Sequence, residues 1–300
     1  MHFVRPVVWS VFSVVVFLVE RPVAAQEQAT DAEFDATVRD AAYKSNGPRV
    51  LIDEAHRNFH TATGLYKPFA VLLFHDGYQI VPATQRKITT KMLADYQVLV
   101  ISNAQGASRP SDPAFTSGEC DAIRDWVSDG GSLLLIADHF PMGSAAESLG
   151  TRFDVLMSKG MTHEYEFTLN QGLNASHPIL RGRSDAETIR KIRTFTGQSI
   201  RGGAGSATLL RLPAGAKELV PDTEHPEDRQ KAKQTPVIYP DQGVAMAFGK
   251  GRVVVLGEAA MLTAQRAANG EKFGINVPGI DNRQLALNIM HWLSGLLPLE

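Results

Sequence analysis

The sequence GSLLLIADHFP, Gly131–Pro141, contains the clearest strand in the chain. Gly130 and Gly131 break the helical pattern before it. Ser132–Ala137 is then apolar without alternation, as expected of a strand buried on both faces of a parallel sheet. The run stops at Asp138-His139, and Pro141 prevents the strand from continuing. Open α/β sheets bind ligands outside the carboxyl ends of their strands, so a carboxylate beside an imidazole at such an end is placed for chemistry or ligand contact. The plainer alternative is a helix N-cap by Asp138 and a surface His139.

Working outward, Arg49–Ile52, Tyr78–Pro82 and Gln97–Ser102 read as further strands. Helical patterns at Lys67–Asp76, Thr89–Asp95 and Thr116–Asp129 separate them, the last with Thr116 and Glu119 in capping-box spacing. Met142–Met157 predicts another helix. Gly243–Phe248, a Gly249-Lys250-Gly251 turn and Arg252–Leu256 predict a hairpin ending at Gly257-Glu258. Helices at Met261–Ala268 and Asp281–Leu293 complete the chain. Between these parts, Tyr165–Leu169, Ile189–Thr196, Ala207–Leu212 and Val237–Tyr239 predict strands around a charged loop, Pro221–Gln234. The order gives an α/β fold: a doubly wound, mainly parallel (flavodoxin-like) sheet with a β-rich insertion in the C-terminal half.

Composition narrows the function. The 300 residues are 44% hydrophobic and carry a formal net charge of −2, and no basic stripe occurs, so nucleic acid is not an expected partner. Positive charge in Met1–Arg5, an apolar Pro6–Val19 and the small residues of Val23-Ala24-Ala25 form a secretory signal pattern. The expected organisation is a signal peptide at 1–25, an N-terminal arm at 26–48 with one short helix, and one α/β domain at 49–296. An uncleaved anchor is the alternative, against which Glu20 and Pro22 argue. Cleavage gives a periplasmic or secreted protein with no stable membrane span. Cys120 is the single cysteine, so no intramolecular disulfide forms, and its helical apolar setting predicts a structural, half-buried thiol.

Four strand ends carry polar groups that parallel strands would bring to one edge: Asp53-Glu54 with His56 and His60, Asn103, Asp138-His139, and Glu258. Asp138, His139 and Glu258 are the candidate catalytic residues. Asp53, Glu54 and Asn103 are candidate ligand contacts. His56 and His60, four apart, would share a helix face and are a candidate pair for a divalent metal such as zinc, although Asn58, Thr61, Thr63 and Gly64 weaken a helix there. Without metal, the same groups can divide acid and base roles. His177, His291, His75 and His225 read as turn, helix-surface or packing, helix-end and solvated residues, and Asp281-Asn282 as a helix cap.

The segments LIDEAHRNFHT, YKPFAVLLFHDGY, GGSLLLIADHFPMG, ASHPIL, TGQS, GRVVVLGEAAMLTAQ and DNRQLALNIMHWL resemble an uncharacterised bacterial domain family. The family belongs to the class I glutamine amidotransferase-like superfamily, near the ThuA-like proteins, and the resemblance spans Val50–Leu293. It implies the superfamily fold. In true amidotransferases a nucleophilic cysteine follows the strand matching Ser132–Ala137; here Asp138-His139 stand in its place, so cysteine-dependent glutaminase chemistry is not expected. The expected function is a hydrolase, metal-assisted or acid/base, acting on a small amide, ester or sugar derivative. The alternative is an envelope protein that binds a small-molecule ligand such as a saccharide without turnover, or that serves a structural role.

Overall fold

The computed structural model describes residues 29–85 and 87–300. The proposed signal segment lies outside the described residues. A two-residue strand, Ala29–Thr30 (β1), opens the described chain. Arg49–Asp53 (β2), Lys67–His75 (α1), Gln79–Ala83 (β3), Thr90–Leu93 (α2), Val98–Ser102 (β4), Ser117–Ser128 (α3), Ser132–Ile136 (β5) and Met142–Gly150 (α4) follow. The second half holds Leu156–Met157 (β6), Met161–Thr162 (β7), Tyr165–Thr168 (β8), Pro178–Arg181 (α5), Lys191–Thr194 (β9), Ile200–Arg201 (β10), Ala207–Arg211 (β11), Lys217–Val220 (β12) and Lys233–Pro236 (β13). Asp241–Phe248 (β14), Gly251–Leu256 (β15), Ala264–Arg266 (β16), Lys272–Gly274 (β17) and Asn282–Leu293 (α6) close it.

The main sheet has nine strands, eight of them in the order β3-β2-β4-β5-β15-β14-β10-β6, with β11 also paired to β14. From β3 to β15 every pairing is parallel; β14, β10 and β6 add antiparallel pairs. The parallel strands alternate their side chains between two cores. Val50, Ile52, Leu134 and Ile136 meet Phe69 and Leu73 of α1 and Leu285 and Ile289 of α6. Leu51, Leu133 and Leu135 meet Ile123 of α3 and Leu149 of α4 on the other face. Each fully buried side chain of this kind contributes about 1.5–3 kcal/mol. With helices on both faces, all polar chain ends of the parallel strands fall on the rims of the sheet.

Several local expectations are corrected. Met261–Ala268 is not a helix: a 3-10 turn at Ala260–Leu262 runs into β16, which pairs with β1 and β17. Strand partners on both sides override a weak helical pattern. The arm after β1 forms turns in place of the expected helix. The strand expected at Val237–Tyr239 lies earlier, at β13, within the charged stretch; its residues are polar because it is an exposed edge strand on β12. Asp281 does not cap α6 with its side chain; its Oδ2 accepts from the Arg190 and Lys191 amides. Of the two settings expected for His291, packing holds and helix surface does not: it is fully buried, its Nε2 2.7 Å from Asp76. Cys120 is fully buried, beyond the half-burial expected.

Candidate functional site

The carboxyl ends of β2, β4, β5 and β15 carry buried polar side chains in two groups. At the end of β2 the chain forms a loop, not a helix, and so His56 and His60 turn to different partners. His56 Nδ1 lies 2.9 Å from both Asp53 oxygens, and its Nε2 lies 3.3 Å from Glu119 Oε1 on α3. Asn58 Nδ2 donates to Asp53 Oδ2 at 3.0 Å. Burial opposes the charged imidazole, but the Asp53 hydrogen bond and the charges of Asp53 and Glu119 outweigh it, and the His56 pKa is raised. Glu119 is held below its usual range: burial opposes this, but the Thr116 and Ile88 donors and His56 win.

His60 belongs to a second group. Its Nδ1 accepts from Asn103 Nδ2 at 3.1 Å, and the same Nδ2 donates to Asp138 Oδ2 at 2.6 Å. Asn103 Oδ1 accepts from the Asp138 amide at 2.9 Å. Burial pushes the His60 pKa down to about 4, so the ring is neutral. Asp138 Oδ1 accepts from Ala259 N at 3.2 Å. Glu258, fully buried, gives its two oxygens to the Ala260 and Met261 amides, each at 2.8 Å. Burial first, and the Asp138 charge second, raise its pKa well above the ordinary value. Glu54 stands apart, folding the loop through Thr63, whose amide it accepts at 3.0 Å.

The structure thus brings Asp138, Asn103, His60 and Glu258 together and ties Asp53 to His56. It does not bring His56 and His60 to a common ion, since both nitrogens of His56 are occupied by carboxylates. Among the described residues, no group of three or more His, Cys, Asp or Glu side chains is arranged to hold a metal. His139 also departs from its neighbour. While Asp138 turns inward, His139 lines a cleft of about 110 Å³ with Phe140, Lys159, Met161, Glu227 and Arg229. Its Nδ1 donates to the Phe140 carbonyl at 2.7 Å, which leaves Nε2 as the acceptor nitrogen.

Residues that the strand-end argument passes over hold the cleft in shape. Gln198 of the TGQS turn donates from Nε2 to the Ala137 and Asp138 carbonyls, at 2.8 and 3.1 Å, and accepts from Lys159 N at 2.7 Å. Gly197, at φ +102°, allows this turn to touch Gly257, whose carbonyl would lie 2.4 Å from any added Cβ. Glu218, below the cleft, accepts from Ser158 and Ser199. Arg57, Asn103 and Lys159 are held at positive φ although none is glycine. Residues held in this sparsely populated region cost about 1–3 kcal/mol each and gather at functional surfaces. The sequence offered TGQS as a motif but no role for its glutamine.

No family model and no curated protein matches the chain. Among solved structures, the mmIFT52 N-terminal domain is similar over 82% of this chain and 97% of its own, at 12% identity and a TM-score of 0.55. A ThuA-like protein from Bacteroides uniformis covers 84% of this chain and 95% of its own, at 16% identity and 0.49. A glutamine amidotransferase from Thermotoga maritima covers 73% and 78%, at 13% identity and 0.42. At 12% identity the likeness to the mmIFT52 domain speaks to fold alone: a mixed α/β domain on a large multi-stranded sheet.

Proposed function

We propose that this is an exported binding domain for a small polar ligand of saccharide type, held in the cleft beside His139. The observation that carries the reading is the split at the end of β5. Every carboxylate oxygen of Asp138 and Glu258 already receives a donor from the protein. His139, with Nε2 free to accept, sits in the cleft with Lys159 and Arg229. The buried network is then a frame for the loop. The ring of Phe140 offers a face for a sugar, and Arg229 suits an acidic one, Lys159 Nζ being already paired with Glu147 at 2.7 Å. A volume near 110 Å³ admits one small ring. The strand order from β3 to β15 supports the flavodoxin-like reading, the quoted motifs support kinship with the ThuA-like branch, and the Met1–Ala25 pattern supports export.

A second reading is hydrolysis of a small ester, amide or glycoside with His139 Nε2 as general base, favoured by the Nδ1 bond that fixes its tautomer. Calorimetric titration with glucuronate, beside release assays on 4-nitrophenyl acetate and 4-nitrophenyl glycosides, separates the two. Binding without release, weakened in His139→Ala, is expected. Release abolished by His139→Ala would move the assignment to hydrolase, and neither binding nor release would end both. N-terminal sequencing of envelope material checks export; a full-length cytosolic chain would overturn it.

A further inference from the structure

Asparagine followed by glycine occurs twice in the chain, at Asn46-Gly47 and at Asn269-Gly270. At such a pair an asparagine loses its side-chain amide most readily, since glycine has no Cβ to shield the backbone nitrogen that attacks it. Both asparagines are exposed, so access to water does not separate them. Their hydrogen bonds do.

Asn269 lies in the loop between β16 and β17. Its Oδ1 accepts from the Glu271 amide at 3.0 Å, and the Gly270 N–H donates to the Ala267 carbonyl at 2.8 Å. A further bond, from Ala267 N to the Glu271 carbonyl at 2.8 Å, closes the loop. Both reacting groups are held, and both bonds must break before the Gly270 nitrogen can reach the side-chain carbon of Asn269. Asn46 lies in the bend between the N-terminal arm and β2, at φ +51°. The Gly47 carbonyl accepts from Gln79 Nε2 at 2.8 Å. Among the described residues, however, its N–H meets no acceptor and the Asn46 carboxamide has no hydrogen-bond partner. Gly47 is buried against Gly77 and Tyr43, so it is the exposed Asn46 that turns. No hydrogen bond has to be given up first.

We propose that Asn46 is a deamidation site of the native protein and that Asn269 is not. The Gly47 nitrogen, deprotonated by base, bonds to Asn46 Cγ. The Cγ–Nδ2 bond breaks, and Nδ2 takes up a proton and leaves as ammonia. Water then opens the cyclic imide at either of its carbonyl carbons, giving aspartate or isoaspartate at position 46, so that one water enters for each ammonia lost. Either product adds a negative charge just before β2, the strand that carries Asp53. Isoaspartate also lengthens the main chain by one carbon at Gly47, where an added Cβ would already lie 2.2 Å from the Gly77 carbonyl.

The full chain, native and in urea, is aged in mildly alkaline buffer made with ¹⁸O water, then digested at acid pH and mapped by mass spectrometry. Expected in the native chain are labelled aspartate and isoaspartate at position 46. They should form roughly tenfold or more faster than at position 269, because two hydrogen bonds guard the latter. In urea, which removes those bonds, the two rates should converge. An unconverted Asn46, an Asn269 that converts as fast in the native chain, product at position 46 without isoaspartate, or a gap that persists in urea would each overturn the assignment.

Discussion

Asn103 and Asp138 grip each other reciprocally: the Asn103 amide donates to Asp138 Oδ2 at 2.6 Å, and its oxygen accepts from the Asp138 backbone at 2.9 Å. These bonds lock the end of β4 to the end of β5, and Asn103 pays for its place with a φ of +48°. Two substitutions separate the contributions. Asn103→Gly removes the side-chain bonds and relieves the backbone; Asn103→Ala removes the bonds and keeps the strain. Asn103→Ala should lose roughly 3 kcal/mol of stability, and Asn103→Gly about 1 kcal/mol less than that. Urea unfolding of both variants measures it, and equal losses would remove the backbone part of the argument.

The two histidines of the β2 loop should give pH dependences of opposite sign. His56 has a folded pKa raised above its ordinary 6.5. Its stabilisation is complete below that value and is lost as pH rises through the folded pKa. His60 has a folded pKa of about 4 against 6.5. Its contribution is present above 6.5 and is lost as pH falls towards 4, with a limiting slope of about 1.4 kcal/mol per pH unit. Relative to wild type, His60→Gln should lose its steep acid decline, and His56→Gln should lose the decline on the alkaline side. Urea midpoints between pH 4.5 and 8.5 decide this; parallel profiles for the two variants would contradict it.

Cys120 is buried on α3, 3.7 Å from the Ser148 hydroxyl, and burial raises its thiol pKa. A protonated, covered thiol reacts slowly. The native protein should resist a thiol reagent until urea unfolds it, and Cys120→Ala should cost about 1 kcal/mol through the small cavity it leaves, with ligand binding unchanged. Rapid labelling of the native chain would show the thiol to be accessible.

The strands were readable because they are apolar without alternation: Val98–Ser102 and Ser132–Ile136 are buried at every position. The Thr116–Glu119 capping box was equally readable, since its chemistry is local. What sequence spacing could not carry was the direction of side chains at the strand ends. Asp138 and His139 are adjacent, yet they serve a buried network and an open cleft. Nor did spacing give the second use of Glu119, which caps α3 and also meets His56 from across the sheet edge. The partner of His291 was hidden for a related reason: Asp76 stands at the end of α1, 215 positions away. Contacts of that range depend on how helices pack over the sheet, and no local pattern records them.

Gln198 offers the sharpest test of the cleft. It joins the two walls, donating to the Ala137 and Asp138 carbonyls from one end and accepting from the Lys159 amide at the other. The side chain is fully buried, so water does not replace these bonds when they are cut. Gln198→Ala strands three backbone groups, and a loss of about 2–4 kcal/mol is expected. Gln198→Glu keeps an acceptor for Lys159 N but presents a carboxylate oxygen to two carbonyls, so it should destabilise at least as much at neutral pH. Protonation supplies the missing donor, so lowering the pH should restore part of the loss in Gln198→Glu and none of it in Gln198→Ala. If the cleft holds the ligand, both variants should also weaken glucuronate more than Cys120→Ala does. Wild-type affinity in a folded Gln198→Ala protein would show that the walls do not need this link, and the ligand would then have to be sought away from His139.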